Sequence, residues 1–283
     1  TTTTGNALNV NATTIGASGL TFRSISSNGA TNGILLNNTG STGGLTVTGN
    51  GSAGTGGTIQ NCSGHGISLA NTAKVNLSWM NITNNLGSGI SGGTINGFLL
   101  DRMSISGNGN DAATDESGIN VTEVTGSAFN GANPTGITNS TISNNNEFEV
   151  QITNTTGNLT DFRLTNNTIS SNGQPVNGNT PSPHGNLVNF LGLGTASMTL
   201  NASGGTFSGN ITDPPLAGNA ITATAIQADH SGTSGLVTAN ISGASFSNNN
   251  VAVSVSAANG GGIDFDVDGN TATANRSHAL NLF

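Results

Sequence analysis

An asparagine recurs three residues after an isolated apolar residue along the whole chain, in segments such as TISNN and TISSN. The apolar residues that begin this pattern, here called the anchors, are Ile25, Ile59, Ile82, Ile105, Ile142, Ile169, Phe207, Phe246 and Ala272. The asparagines that follow them are Asn28, Asn85, Asn108, Asn145, Asn172, Asn210, Asn249 and Asn275, and Cys62 takes this place after Ile59. Such repetition predicts a solenoid, because a unit that cannot bury its apolar side alone must stack on the next.

The units are short and poor in bulky side chains. The shortest anchor spacing, from Ile59 to Ile82, is 23 residues, and the chain is 4% aromatic and 6% charged with 43 glycines. Runs of alternating apolar and polar residues, broken by Asn and Gly, indicate short strands that pair in parallel with the next unit. We therefore predict a single all-β domain over residues 1–283, a parallel β-helix of about nine coils with a thin aliphatic core. The eight repeated asparagines are expected to form a ladder at one bend, where Asn tolerates the left-handed backbone region.

The anchors and bend asparagines resemble the right-handed, pectate-lyase-like parallel β-helix repeat family over nearly the whole chain. Within that family the chain is similar to the passenger regions of autotransporters and large adhesins. The resemblance implies a secreted or cell-surface segment of a bacterial surface or fibre protein, structural or adhesive, without catalysis or a cofactor. Open coil ends predict self-association or flanking β-helix coils, and an adhesive role predicts a glycan or a host or cell surface as partner. A polysaccharide lyase or hydrolase on the same fold is the alternative function.

Charge and hydropathy exclude two classes of partner. The formal net charge is −8, with only five Lys and Arg residues in 283. Nucleic-acid binding requires clustered cations that displace counterions, so no nucleic-acid partner is expected. No stretch approaches the run of about 20 apolar residues that spans a bilayer, so no membrane insertion is expected.

The segment GHG around His65 is similar to the setting of the catalytic histidine in polygalacturonase-type glycosidases. Hydrolysis of a glycosidic bond with inversion requires two carboxylates. The first acidic residue of the chain is Asp101, and the only lysine, Lys74, has no arginine two positions before it. We therefore interpret His65 as a turn residue of the repeat.

Three longer connections follow the repeated asparagines, after Asn108, Asn172 and Asn210. Because they leave from the same bend, they should line one edge of the rod. The residues of this edge that are suited to bind a ligand are Asp111, Asp115, Glu116, His184 and Asp213. The alternative is that the connections are tolerated surface insertions.

Near the end of the chain, Asp264, Asp266 and Asp268 precede Gly269 and imitate the opening of a calcium loop. Oxygen ligands suit Ca²⁺, but Asn275 stands where such a loop places its closing Glu. The alternative is that the three aspartates form the outward side of one strand. Glu147 and Glu149, which alternate with Phe148 and Val150, are likewise predicted to face outward.

The neighbours of the anchors carry hydroxyl groups in most units, as in Thr141 and Ser143 around Ile142. Stacked coils would align them in a flat, uncharged face, which resembles the Thr-x-Thr arrays of β-helical ice-binding proteins. Ser replaces Thr at most of the second positions, so the methyl groups of such arrays are missing there. An ice-binding or glycan-binding module is therefore a further alternative, beside the ordinary preference of exposed strands for Ser and Thr.

Overall fold

The computed structural model confirms a parallel β-helix. It describes residues 5–109, 116–126, 128–129, 133–171, 186–210 and 224–282, with the side chains of 128–129 and 133–134 left out. Strands, turns and bends make up this part of the chain, which contains no helix that could cross a membrane. Each coil passes in turn through three faces of parallel strands, here called faces A, B and C, and returns to face A one level further along the rod.

Each face is a stack of strands that pair with the same strand of the next coil. Face A contains Leu8–Asn11, Ile34–Asn37, the first parts of Ile67–Ser78 and Ile90–Asp101, Ile119–Thr125, Val150–Asn154, Val188–Gly194, Thr224–Gly232, Val251–Ala258 and His278–Leu282. Face B contains Leu20–Phe22, Leu45–Val47, the second parts of the same two long strands, Asn133–Thr138, Leu159–Thr165, Met198–Ser203, Leu236–Ser242 and Gly262–Asp268. Face C contains Ser27–Asn28, Gly57–Gln60, Met80–Thr83, Ser104–Ser106, Thr141–Ser143, Thr168–Ser170, Thr206–Ser208, Ser245–Ser247 and Thr271–Thr273. Ala128–Phe129 pairs in antiparallel fashion with the start of Asn133–Thr138.

The core is a set of stacked side-chain columns, one for each inward position of a strand. On face C, Ile105 pairs with Ile82 on one side and with Ile142 on the other, and all three are fully buried. The column changes to phenylalanine at Phe207 and Phe246, whose rings stack with centroids 5.2 Å apart. Constant register therefore lets like side chains pack on like, which fills a thin interior without large aromatic clusters.

The first coil departs from the predicted register. Ser27, which is buried, pairs with Ile59, so Ser27 and not Ile25 occupies the anchor column of face C. Asn28 consequently lies level with Gln60 on the exposed side, and its assignment to the asparagine ladder is wrong. A shift by two residues keeps every side chain on its own side of a strand, so the alternation of polar and apolar residues fits both registers equally well.

The repeated asparagines lie at the bend from face C to face A, called the C–A bend. Asn85 and Asn108 are buried, and in each the side-chain oxygen accepts from the backbone N–H of the preceding coil, from Cys62 at 3.0 Å and from Asn85 at 3.2 Å. Asn145 accepts from Asn108 at 3.0 Å in the same way, Asn249 from Asn210 at 3.2 Å and Asn275 from Asn249 at 3.0 Å. Asn172 lies outside the described residues.

The left-handed conformation at this bend belongs to the residue before each buried asparagine. Asn84, Gly107 and Asn144 have φ values of 55°, 65° and 58°, and they precede Asn85, Asn108 and Asn145. The expectation that the ladder asparagines themselves take up left-handed backbone is therefore wrong. Asn or Gly suits the position before the buried asparagine because these residues tolerate positive φ. Asn suits the buried position because its side-chain amide bonds to the adjacent coil.

We predict that Asn108→Ala lowers the free energy of unfolding by about 3 kcal/mol, because it leaves buried donors of Asn85 and the carbonyls of Ile82 and Ser106 without their partner. Asn28→Ala, the matched control at an exposed position, should change it by less than about 0.5 kcal/mol. Urea unfolding followed by circular dichroism measures both values. Equal losses in the two variants would contradict the assignment of Asn28 outside the column.

Candidate functional site

Face C carries two columns of hydroxyl groups on its outer side, one on each flank of the buried anchors. The first column contains Ser104, Thr141, Thr168, Thr206, Ser245 and Thr271, and Asn81 and Thr58 continue it toward the N-terminal coils. The second contains Thr83, Ser106, Ser143, Ser170, Ser208, Ser247 and Thr273, with Gln60 before them. In the first coil the observed register gives Ser26 and Asn28 as the residues that flank the buried Ser27. These two columns are called the hydroxyl face.

The hydroxyl face is regular in spacing and free of charge. Pairing without register shifts sets the spacing of its side chains at about 4.8 Å along the rod and about 7 Å across the two columns. No strand of face C contains Asp, Glu, Lys or Arg within the described residues. Thr141 and Thr168 are exposed, whereas their neighbours in the second column are half-buried. The surface therefore presents repeated groups that both donate and accept hydrogen bonds.

The predicted ligand-binding edge is largely outside the described residues. Asp111, Asp115, His184 and Asp213 fall there, and so their placement stays a prediction. Glu116 is described and is only 5% exposed. Its backbone N–H donates to the carboxylate of Glu147 at 3.0 Å, next to the C–A bend. Glu116 is thus part of the packing between neighbouring coils at this bend.

Glu149 corrects the prediction of an outward carboxylate. It is 2% exposed, and it accepts a hydrogen bond of 2.5 Å from the side-chain amide of Asn145. Burial raises the pKa of Glu149 to about 8, against the opposing effect of its hydrogen bonds with Asn145 and Asn144. The only sequence signal that could have predicted this buried position is that Glu149 stands four residues after the ladder asparagine Asn145. Glu149 is part of the packing of the bend and is inaccessible to a substrate.

Glu123, at the bend from face A to face B, has the opposite environment. Its carboxylate accepts from the backbone N–H groups of Thr155 at 2.6 Å and of Gly157 at 2.8 Å in the next coil. Partial burial acts to raise its pKa, but these amides, together with Thr156, hold the pKa below its ordinary value. The carboxylate therefore connects one coil to the next, and its oxygens are engaged in hydrogen bonds within the fold.

Other acidic residues are also bound within the fold. Asp161 pairs with Arg163 at 2.8 Å and accepts from Asn201 at 2.7 Å. Asp229 accepts from Ser256 at 2.5 Å, and its burial raises its pKa. Together with Glu123 and Glu149, these carboxylates have structural partners. The four groups are thus engaged by the fold, which makes them poor candidates for the acid and base of a two-carboxylate mechanism.

The aspartates of the imitated calcium loop lie on the outer side of Gly262–Asp268. Asp264, Asp266 and Asp268 are exposed and alternate along one strand, about 7 Å apart. Within the described part of the chain, no three His, Cys, Asp or Glu residues are grouped so that they could hold a metal ion. The spacing of Asp264, Asp266 and Asp268 is that of the outward side of a strand, so their carboxylates do not form a convergent set of ligands.

His65 lies at a turn and is bonded to both neighbouring coils. Its backbone N–H donates to the side chain of Asn32 at 3.0 Å, and its Nδ1 accepts from the backbone N–H of Ser88 at 3.1 Å. The ring nitrogen that faces Ser88 is therefore used to hold the turn. This geometry agrees with the interpretation of His65 as a structural residue.

Comparisons with models of protein families, with curated proteins and with solved structures find no match for this chain.

We predict that the free energy of unfolding falls as the pH rises from about 4.5 to about 8 and levels off above. Folded Glu149, whose pKa is about 8, keeps a proton that the unfolded chain, with an ordinary pKa of 4.5, has released. Glu149→Gln, which is neutral at every pH, should flatten this decline. At pH 8 its free energy of unfolding should exceed that of the native chain by on the order of a few kcal/mol.

Glu123→Gln is the matched control for this measurement. The pKa of Glu123 is lowered in the folded protein, so its contribution is present above the ordinary pKa and is lost as the pH falls. This variant should alter the acid end of the profile and leave the decline between pH 4.5 and 8 in place. Urea unfolding across pH 3 to 9 tests both, and an unchanged decline in Glu149→Gln would contradict the assignment.

Proposed function

We propose that this chain is a non-catalytic, extracellular β-helix that binds an extended glycan along its hydroxyl face, as a segment of a bacterial surface or fibre protein. The observation that carries the proposal is the alignment of two uncharged hydroxyl columns along face C. A periodic ligand meets the same groups at every coil, so weak contacts add along its length.

The chemistry of the hydroxyl face suits a neutral polysaccharide. Ser and Thr hydroxyls donate and accept, as sugar hydroxyls do, and their short side chains lose little conformational freedom on binding. A face without charge has no ion to desolvate when a neutral polymer covers it. The net charge of −8 disfavours acidic polymers at long range.

The rigidity of the rod supports the same role. Strands of face C are tied to their neighbours by parallel pairing, and the anchors beneath them are fully buried at Ile105, Ile142 and Ile169. Little conformational entropy remains to be lost when a ligand binds such a surface. A preorganised, regular surface is what adhesion to a repetitive polymer requires.

The two alternative functions have weaker support. An ice-binding surface would use the methyl groups of Thr, but Ser occupies most of the second column, at Ser106, Ser143 and Ser170 for example. A hydrolase would use two carboxylates placed on either side of the bond that it cleaves. Glu149 is buried and Glu123 is bonded to backbone amides. The exposed Asp264, Asp266 and Asp268 alternate along one strand. We therefore favour binding over catalysis.

We predict that the protein is retained by at least one insoluble neutral polysaccharide among cellulose, chitin and β-1,3-glucan. Thr168→Arg and Thr206→Arg place a long charged side chain in the first column and should reduce retention about tenfold, because the polymer can no longer lie flat on the face. Thr238→Arg, on the outer side of face B, is the matched control and should bind like the native chain. Sedimentation with the polymer measures retention.

Two outcomes would overturn the proposal. One is the absence of retention on all three polymers, and the other is retention by Thr168→Arg and Thr206→Arg equal to that of the control. Thermal hysteresis that both variants abolish, without polymer retention, would establish the ice-binding alternative instead. Circular dichroism of each variant verifies that the β-helix is folded.

A further inference from the structure

An aromatic and a cationic side chain stack at the bend from face B to face C, called the B–C bend. Trp79 and Arg102 occupy this bend in successive coils, and the Arg102 guanidinium carbon lies 5.1 Å from the centre of the Trp79 ring. This distance is within the range of a cation–π contact. The backbone N–H of Trp79 donates to the carbonyl of Asp101 at 3.1 Å, which fixes the spacing of the two coils.

Both residues have a left-handed backbone, with φ of 60° at Trp79 and 53° at Arg102. The same bend holds Asn139 and Asn166 in the next two coils and Gly204 after them, which are residues that tolerate this conformation. A bulky tryptophan in left-handed backbone is strained. Backbone strain of this kind is concentrated at ligand-binding sites, so the surroundings of Trp79 are a candidate for such a site.

The guanidinium is held in place from a second side. Arg102 forms an ion pair with Asp101, whose other carboxylate oxygen accepts from the hydroxyl of Thr138 at 2.8 Å and from the amide of Asn139 at 2.9 Å. The Arg102 side chain is nevertheless 46% exposed. Arg102 therefore presents oriented N–H groups whose charge is balanced by Asp101.

Trp79 and Arg102 line an open groove of about 500 Å³. Its lining also includes Asn81, Ser104 and Thr141, which belong to the first column of the hydroxyl face. The small residues Ala53 and Gly54 border the same groove. An aromatic ring, guanidinium and amide donors, and hydroxyls thus border one space of the size that accommodates a small ligand.

We propose that this groove is a saccharide-binding subsite, which receives one sugar residue of a neutral glycan bound along the hydroxyl face. The inference rests on the proposed function and adds the element that selects the sugar. The part of the half-buried Trp79 ring that Arg102 leaves uncovered contacts the apolar C–H surface of the sugar. Arg102 and Asn81 bond to the hydroxyl oxygens of the sugar. A carboxylate-bearing sugar gains little, because Asp101 already neutralises Arg102.

The fluorescence of Trp79 reports on this groove alone, because the chain has one tryptophan and no tyrosine. The probes are cellohexaose, chitohexaose and laminarihexaose, with hexagalacturonate as the acidic counterpart, titrated into the full chain. We expect a saturable change of emission with at least one neutral hexasaccharide and none with hexagalacturonate. Arg102→Ala should weaken the binding about tenfold, through loss of charge-assisted hydrogen bonds.

Arg163→Ala is the matched control for Arg102→Ala. Arg163 also pairs with a nearby aspartate, Asp161, and is 49% exposed, but it lies on face B. Among the described residues, the guanidinium that stacks on an aromatic ring is that of Arg102 and not that of Arg163. The Arg163→Ala variant should bind each hexasaccharide with the same affinity as the native chain. Thermal unfolding of both variants separates a loss of binding from a loss of fold.

The titrations also distinguish the groove from the hydroxyl face. The inference is overturned if no neutral hexasaccharide alters the emission saturably, if only hexagalacturonate does, or if Arg102→Ala binds as tightly as Arg163→Ala. In that last case the Trp79–Arg102 stack only fastens neighbouring coils. Polymer retention that Thr168→Arg abolishes and Arg102→Ala preserves would leave the proposed function standing without the groove. Hexasaccharide binding that needs Arg102, without polymer retention, would leave the groove standing without the hydroxyl face.

Discussion

The stacking of each coil on its neighbour is the constraint on which this structure depends. A strand such as Thr141–Ser143 pairs with strands of the coils before and after it, and its buried anchor Ile142 lies in register with Ile105 and Ile169. The bend amides follow the same rule, because the side chain of Asn108 bonds to Asn85 and Ile82 in the preceding coil and to Asn145 in the following one. Stability is therefore shared between neighbours, and one poor coil weakens the two interfaces that it forms.

The sequence predicts the architecture well because the same pattern of an anchor followed by an asparagine recurs in nearly every coil, although the spacing of the anchors varies. Ile82, Ile105 and Ile142 are visible as anchors in the sequence and stack in the structure as expected. The first coil could not be predicted, since a register shift of two residues preserves the alternation, and the polar Ser27 concealed the true anchor. The repeat thus predicts the stacking of the anchors better than the alignment of the strands in the first coil.

The candidate site was predictable in part. The hydroxyl columns follow directly from the neighbours of the anchors, once parallel stacking is accepted. The groove was not, because Trp79 and Arg102 are 23 positions apart and meet only through the coil spacing. Glu149 was predicted to face outward because alternation gives the side of a strand, whereas its side chain turns at the bend toward Asn145.

The row of buried asparagines at the C–A bend has an electrical polarity. The side chains of Asn85 and Asn108 each donate toward the following coil, at 2.8 Å, so their amide dipoles point in one direction along the rod. Asn145 in turn donates to Glu149, four residues further along the chain. Because burial raises the pKa of Glu149 to about 8, this donor meets a neutral carboxyl group at neutral pH. These three coils thus have a distinct head and tail in their internal field as well as in their chain direction.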